Sequence, residues 1–223
     1  MAMLLGAVAA LSGPFSLAAA EPVSIVAFGD SLSAGYGVGP GESFPEQLQA
    51  ALRERGQDVV VANAGVSGDT ASDGLARLEW SVPADADIVI VELGANDALR
   101  GIDPAVTRRA ISSILDTLKN RGQDVLLAGM LAPRNMGDRY AAAFDAIYPD
   151  LAAQYDVPLY PFFLEGVVGD RRLNQPDGVH PTGEGIARIV DSILPAVEEL
   201  VAAKASGSPG GQVVLPTITA GEC

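Results

Sequence analysis

At 223 residues and 48% hydrophobic content, the chain is long enough for one domain with a sizeable core and too apolar for a disordered segment. A net charge of −14 argues against a nucleic-acid surface, which needs clustered Lys and Arg, and equally against docking on anionic lipid. One histidine and one cysteine leave only carboxylates as strong metal ligands, so neither a metal site nor an internal disulfide is expected.

Residues 1–20 are apolar and rich in small side chains, and they end in Ala18-Ala19-Ala20 before Glu21-Pro22. That end fits a signal-peptidase site. The positive flank of such a signal is missing, because no Lys or Arg precedes Arg53. Either the true start lies upstream or the signal is atypical. Gly13-Pro14 interrupts a run barely long enough to span a bilayer, so export to the periplasm or medium is expected rather than a stable membrane anchor.

Val23 to Phe28 reads as a buried strand ended by Gly29. Ser43 to Arg55 reads as a helix, with Ser43 as N-cap, Pro45 in the first turn and Gly56 beyond the end. Strands follow at Asp58 to Asn63 and at Asp87 to Glu92. Asp103-Pro104 opens a helix to about Asn120, and Gln123 to Gly129 is a fourth strand. Gly137 to Gln154 reads as one helix, Val157 to Pro161 as a fifth strand, and Thr182 as the cap of a last helix ending near Lys204. Alternating strands and helices imply a parallel sheet covered on both faces, a three-layer α/β/α sandwich over residues 21–204. From Ala205 the composition turns Gly/Pro/Ser-rich, giving a tail that either hangs free or adds an edge strand. Cys223, its last residue, reads as an exposed thiol, with pairing between molecules left open.

In open parallel sheets, sites form beyond the carboxyl ends of the strands. Gly29-Asp30-Ser31, Asn63-Ala64-Gly65 and Gly94-Ala95-Asn96 all stand just past strand ends. Ser31 is a candidate nucleophile or simply a helix N-cap. The lone His180 is the only side chain whose unperturbed pKa falls near neutrality, and Asp177, three residues earlier, can orient its ring and stabilise the imidazolium. Asp177-Gly178 is equally a turn signal. The Asn96 amide, the Gly68 N–H and the Ser31 N–H are candidate oxyanion donors, while Asn96-Asp97 and Gly68 also suit a helix start and a turn. The glycines of Gly35 to Gly41 match neither the dinucleotide nor the P-loop spacing, and Gly65-Val66-Ser67-Gly68 has Asp69 where a nucleophile elbow needs glycine.

Together, Gly29-Asp30-Ser31-Leu32, Gly68, Gly94-Ala95-Asn96-Asp97 and Asp177-Gly178-Val179-His180 resemble the four blocks of the SGNH, or GDSL, hydrolases. Gly29-Asp30-Ser31-Leu32-Ser33-Ala34-Gly35-Tyr36, Ser67-Gly68-Asp69-Thr70 and Val91-Glu92-Leu93-Gly94-Ala95-Asn96-Asp97 narrow the likeness to the bacterial thioesterase I / lysophospholipase L1 / arylesterase subgroup. The resemblance covers about Val23 to Ala203. It implies a flavodoxin-like sheet of five parallel strands and a triad of Ser31, Asp177 and His180. It also implies an oxyanion hole of Ser31, Gly68 and Asn96, with no metal or cofactor. Hydrolysis of short-chain aryl or alkyl esters is the expected activity. Thioesters and lysophospholipids are alternatives on the same triad, as are acetylated carbohydrates. Leu99, Ile102, Met130 and Leu131 are candidate acyl contacts or ordinary packing residues. A flavodoxin-like binding protein without catalysis is the rival of another class. Its first loop would cradle a phosphate, which Asp30 would repel.

Overall fold

The computed structural model describes residues 21–207. The expected signal peptide and all but the first three residues of the expected tail, Cys223 included, lie outside them. Five strands form the sheet: β1 (Val23–Gly29), β2 (Val59–Gly65), β3 (Ile88–Glu92), β4 (Asp124–Ala128) and β5 (Leu159–Tyr160). All pair in parallel, in the order β2-β1-β3-β4-β5. This is the flavodoxin-type doubly wound order, and its direction reverses between β1 and β3.

The helices are α1 (Ser31–Ala34), α2 (Phe44–Glu54), α3 (Ala71–Ser81), α4 (Ala95–Leu99), α5 (Pro104–Asn120), α6 (Asp138–Asp145), α7 (Ile147–Tyr155) and α8 (Gly183–Ala205). Helix α2 packs on α8, whereas α3 packs on α5 and α5 on α7. Right-handed crossovers put these two groups on opposite faces of the sheet. The central strand β3 is buried along its whole length, and edge strand β2 alternates with solvent. Around Ile88, Ile90, Phe28 and Leu126 lies one continuous apolar core. No helix among the described residues is long and apolar enough to cross a membrane.

Local chemistry explains where the elements begin and end. Ser43 and Glu46 form the capping box of α2, with Ser43 N–H donating to Glu46 Oε2 at 3.2 Å. Thr182 caps α8 by accepting from Gly185 N–H at 3.2 Å. Pro195 lies inside α8, where its ring and missing N–H would disfavour a helix, but neighbours Ile193, Leu194, Ala196 and Val197 are all buried.

Three expectations change. Helix α3 was not expected from the sequence, because Gly74 interrupts it and Trp80 is exposed on it; a capping box of Thr70 with Asp73 starts it nonetheless. The single helix over 137–154 divides at Ala146, because Pro149 has no N–H to offer the Asp145 carbonyl. The fifth strand shortens to Leu159–Tyr160, since Pro158 and Pro161 flank it and neither can donate to the ladder.

The sheet's carboxyl edge is built for close approach. Gly29 of β1 lies opposite Gly65 of β2. A Cβ on Gly65 would stand 2.3 Å from Ala34 N and 2.7 Å from Ala34 Cα, both backbone atoms of α1. Gly65→Ala is therefore expected to push α1 off the sheet and destabilise by about 1–3 kcal/mol. Urea unfolding checks this, and an unchanged midpoint would refute the tight fit.

Candidate active site

Ser31 begins α1 immediately after β1. The turn is fixed by Asp30, whose Oδ1 accepts the Leu32 N–H at 3.0 Å. Asp177 and His180 sit on the loop before α8. Asp177 Oδ1 accepts the N–H groups of Val179 at 2.9 Å and His180 at 3.0 Å, so the carboxylate folds its own loop. Its Oδ2 lies 2.7 Å from His180 Nδ1, and His180 Nε2 lies 3.0 Å from Ser31 Oγ. A carboxylate can only accept, so Nδ1 carries the proton and Nε2 is left to accept from the serine hydroxyl. The imidazole hydrogen bond, followed by the backbone N–H groups, holds Asp177 down at about 2.

Two residues with no role in the sequence reading hold the imidazole. The Tyr36 ring leans on it, with centroids 4.5 Å apart and planes tilted by 38°. Gln175 Nε2 donates to Tyr36 O at 2.7 Å and to Pro181 O at 2.9 Å, joining the two loops, and Gln175 N–H donates to His180 O at 2.7 Å. The sequence signals for them are slight: Tyr36 closes the Gly29 to Tyr36 stretch of the resemblance, and Gln175 begins the stretch that leads to His180.

Asn96 lies in the first turn of α4, just past β3. Gly94 permits that turn with φ of 117°, and a Cβ there would meet Tyr148 Oη at 2.2 Å. Asn96 Nδ2 donates to Asp30 Oδ2 and to Asp69 O, both at 3.0 Å. Among the described residues, the N–H groups of Ser31 and Gly68 have no hydrogen-bond partner. Gly68 adopts φ of 91° and does not line the cavity beside Ser31.

Below the serine lie two buried carboxyls. Glu92, at the end of β3, is fully buried; its Oε2 accepts from Ser33 Oγ at 2.8 Å and Asp30 N–H at 3.3 Å, and its Oε1 has no partner. Burial, then the charge of Asp30, raises Glu92 well above its ordinary value. Burial raises Asp30 to about 6, against its bonds with Leu32 and Asn96. The sequence marks Glu92 as a strand end within the Val91-Glu92-Leu93-Gly94 stretch, but its burial beneath Asp30 depends on contacts across the fold.

The cavity beside Ser31 and His180 has a volume of about 420 Å³. Leu99, Met130, Leu131, Phe162, Leu164, Val168 and Val179 give it an apolar wall, with Arg134 at its margin. Three of the four expected acyl contacts are there. Ile102 is not: it stands half-buried away from the cavity, where its carbonyl accepts from Tyr140 Oη at 2.8 Å.

The chain is similar to several known proteins. The family model described as "GDSL-like Lipase/Acylhydrolase family" matches residues 27–188. An arylesterase of Vibrio mimicus is 42% identical over 190 residues, covering 84% of this chain and 94% of that protein. The Escherichia coli protein named thioesterase 1/protease 1/lysophospholipase L1 is 41% identical over 189 residues, covering 84% of this chain and 88% of that one. Among solved structures, that of AlinE4, described as an SGNH-hydrolase family esterase, is 48% identical. Its TM-score is 0.69, with 81% of this chain and 97% of that one covered.

The buried Asp30 makes a thermodynamic prediction. Its native pKa, about 6, lies above the ordinary 3.8, so the native state binds the proton more tightly than the unfolded chain. Asp30 therefore makes stability fall as pH rises between those values. In Asp30→Asn that decline is expected to flatten. Denaturant unfolding across the interval checks it, and parallel pH profiles for the two proteins would refute it.

Proposed function

This chain belongs to the GDSL-like lipase/acylhydrolase family and is a carboxylic ester hydrolase; on that premise we propose that it works through an acyl-Ser31 intermediate. His180 Nε2 takes the hydroxyl proton as Ser31 Oγ bonds to the ester carbonyl carbon. The resulting oxyanion accepts from the N–H groups of Ser31 and Gly68, with Asn96 sharing one of its two amide hydrogens. As the intermediate collapses, the imidazolium protonates the departing alkoxide or aryloxide. Water then loses a proton to the same nitrogen and attacks the acyl carbon, releasing the acid and restoring the serine hydroxyl. Asp177 keeps the ring in the required tautomer and stabilises the imidazolium without taking its proton. The observation that carries this reading is the unbroken line from Asp177 Oδ2 through His180 to Ser31 Oγ, with bonds of 2.7 and 3.0 Å.

Short-chain aryl and alkyl esters are the proposed substrates. The apolar cavity of about 420 Å³ suits a small hydrocarbon acyl group. It offers few polar partners to an acetylated sugar. A phosphate would face the buried Asp30 with only Arg134 as a cationic wall residue, which disfavours the rival binding protein. Thioesters share the acyl half and are the second reading, supported by the name of the Escherichia coli relative. Export to the periplasm or medium is part of the proposal and rests on the Ala18-Ala19-Ala20 pattern.

Ser31→Ala is expected to remain folded by circular dichroism and lose p-nitrophenyl acetate turnover by on the order of 10⁴-fold or more, with His180→Ala similarly impaired. Full turnover by a folded Ser31→Ala would remove Ser31 from the chemistry. A panel of aryl acetates, acyl thioesters and acetylated sugars, compared by kcat/KM, is expected to rank aryl acetates first; a preference for the sugars would overturn the substrate assignment.

A further inference from the structure

Arg77 is a buried cation in the middle of α3, with 8% of its surface exposed. Its guanidinium meets four groups. Nη2 donates to Gly29 O and Nη1 to Ala64 O, both at 2.8 Å; Nε donates to Asp69 Oδ2 at 2.5 Å; and Cζ stands 4.4 Å from the centre of the Phe28 ring. Each partner adjoins a different part of the site. Gly29 leads into Asp30-Ser31. Ala64 is the next-to-last residue of β2, the strand that leads to Gly68. Asp69 follows Gly68 and, through its carbonyl, accepts from Asn96 Nδ2 at 3.0 Å.

We propose that Arg77 is a positioning residue for ester hydrolysis, setting the spacing among the Ser31, Gly68 and Asn96 donors by clamping the Gly29 and Ala64 carbonyls and the Asp69 carboxylate in one planar fork. This rests on the oxyanion-hole reading of those three residues. The fork matters as well as the charge. A lysine could neutralise Asp69, but a single ammonium lacks the rigid spread of donors that reaches two separate carbonyls and a carboxylate at once. Gly29 O already accepts the Val66 N–H at 3.1 Å, so Arg77 occupies its second lone pair and fixes the strand end from the side. Without the fork, the Asp69 loop loses its anchor to α3, and both Gly68 and the acceptor of the Asn96 amide move with it. Small displacements are enough: a shift of about 1 Å in a catalytic group can cost on the order of 100-fold in rate.

The test compares Arg77→Met, Arg77→Lys and Asp69→Asn with wild type, and uses Ser31→Ala as a reference. Steady-state kinetics with p-nitrophenyl acetate, melting temperature and the rate of covalent phosphylation by diethyl p-nitrophenyl phosphate are measured. The phosphoryl oxygen of that reagent reports on the same donors as the oxyanion. In Arg77→Met, kcat and the phosphylation rate are expected to fall together by about 10- to 100-fold with KM little changed. Arg77→Lys is expected to recover melting temperature more fully than kcat, and Asp69→Asn to lower kcat in the same direction. Wild-type kcat in folded Arg77→Met would overturn the proposal. So would an Arg77→Lys protein that regains kcat as completely as melting temperature, because charge alone would then suffice. If Arg77→Met does not fold, the other two variants decide, and wild-type kcat in both counts against positioning. A folded Ser31→Ala that stays active instead defeats the acyl-serine reading, whatever the Arg77 variants do.

Discussion

All five strands run in one direction, and every other feature of the site depends on that. A parallel strand ends where its following helix begins, so the turns after β1, β2 and β3 leave from the same edge of the sheet. The reversal of strand order between β1 and β3 opens a crevice there, with Ser31 on one side and Asn96 on the other. The loop before α8 returns to this edge and brings an imidazole to a hydroxyl 149 residues away. No single contact gathers these groups. The β1–β2 and β1–β3 registers fix the heights of the strand ends, with Gly29 opposite both Gly65 and Glu92. Short turns with close backbone contacts fix the rest.

That edge also concentrates negative charge where the proposed acyl-serine route needs a negative transition state. Asp30 and Glu92 both lie beneath Ser31, and the Asp30 carboxylate engages the amide of Asn96. Two effects oppose one another. An ionised Asp30 competes with an oxyanion for the Asn96 hydrogen, but it also sits close enough to His180 for the two charges to attract, which favours the imidazolium that forms in the same step. Burial weakens both effects alike by drawing Asp30 toward its neutral form, and it pushes Glu92 further that way. The arrangement thus avoids placing two full negative charges beneath Ser31.

The sheet was legible in the sequence because its first four strands are short apolar runs followed closely by glycine, and Asp30-Ser31, Asn96 and His180 stand just beyond such closures or in a turn with its own Asp-Gly signal. What was not legible depends on contacts across the fold. Helix α3 is marked by its capping box, but Gly74 weakens its helical pattern, and the reason for that glycine is remote: a Cβ would stand 2.5 Å from Leu93 Cδ1. Arg77 reads as one more surface charge until the strand ends are brought beneath it. Gln175 acquires a role only when the loop carrying Tyr36 comes within reach. Ile102 shows the converse error. An apolar residue near Asn96 in sequence suggested the cavity wall, but the turn after α4 carries it away.

The division of labour across the sheet bears on substrate choice. Ser31, Gly68 and Asn96 follow β1, β2 and β3, and Asp177 and His180 precede α8. The apolar wall comes largely from elsewhere: Met130 and Leu131 follow β4, and Phe162 and Leu164 follow β5. The groups proposed to react are tied to one another and to the buried carboxyls, so a change in any of them disturbs the rest. The wall residues are bound by packing alone, and packing tolerates replacement by apolar side chains of similar volume. Selection on acyl length can therefore act on the β4 and β5 loops while the hydrolytic groups keep their spacing. The same separation explains how relatives with the names arylesterase and thioesterase can share one arrangement of reacting groups, because oxygen and sulfur leaving groups depart from the same acyl carbon.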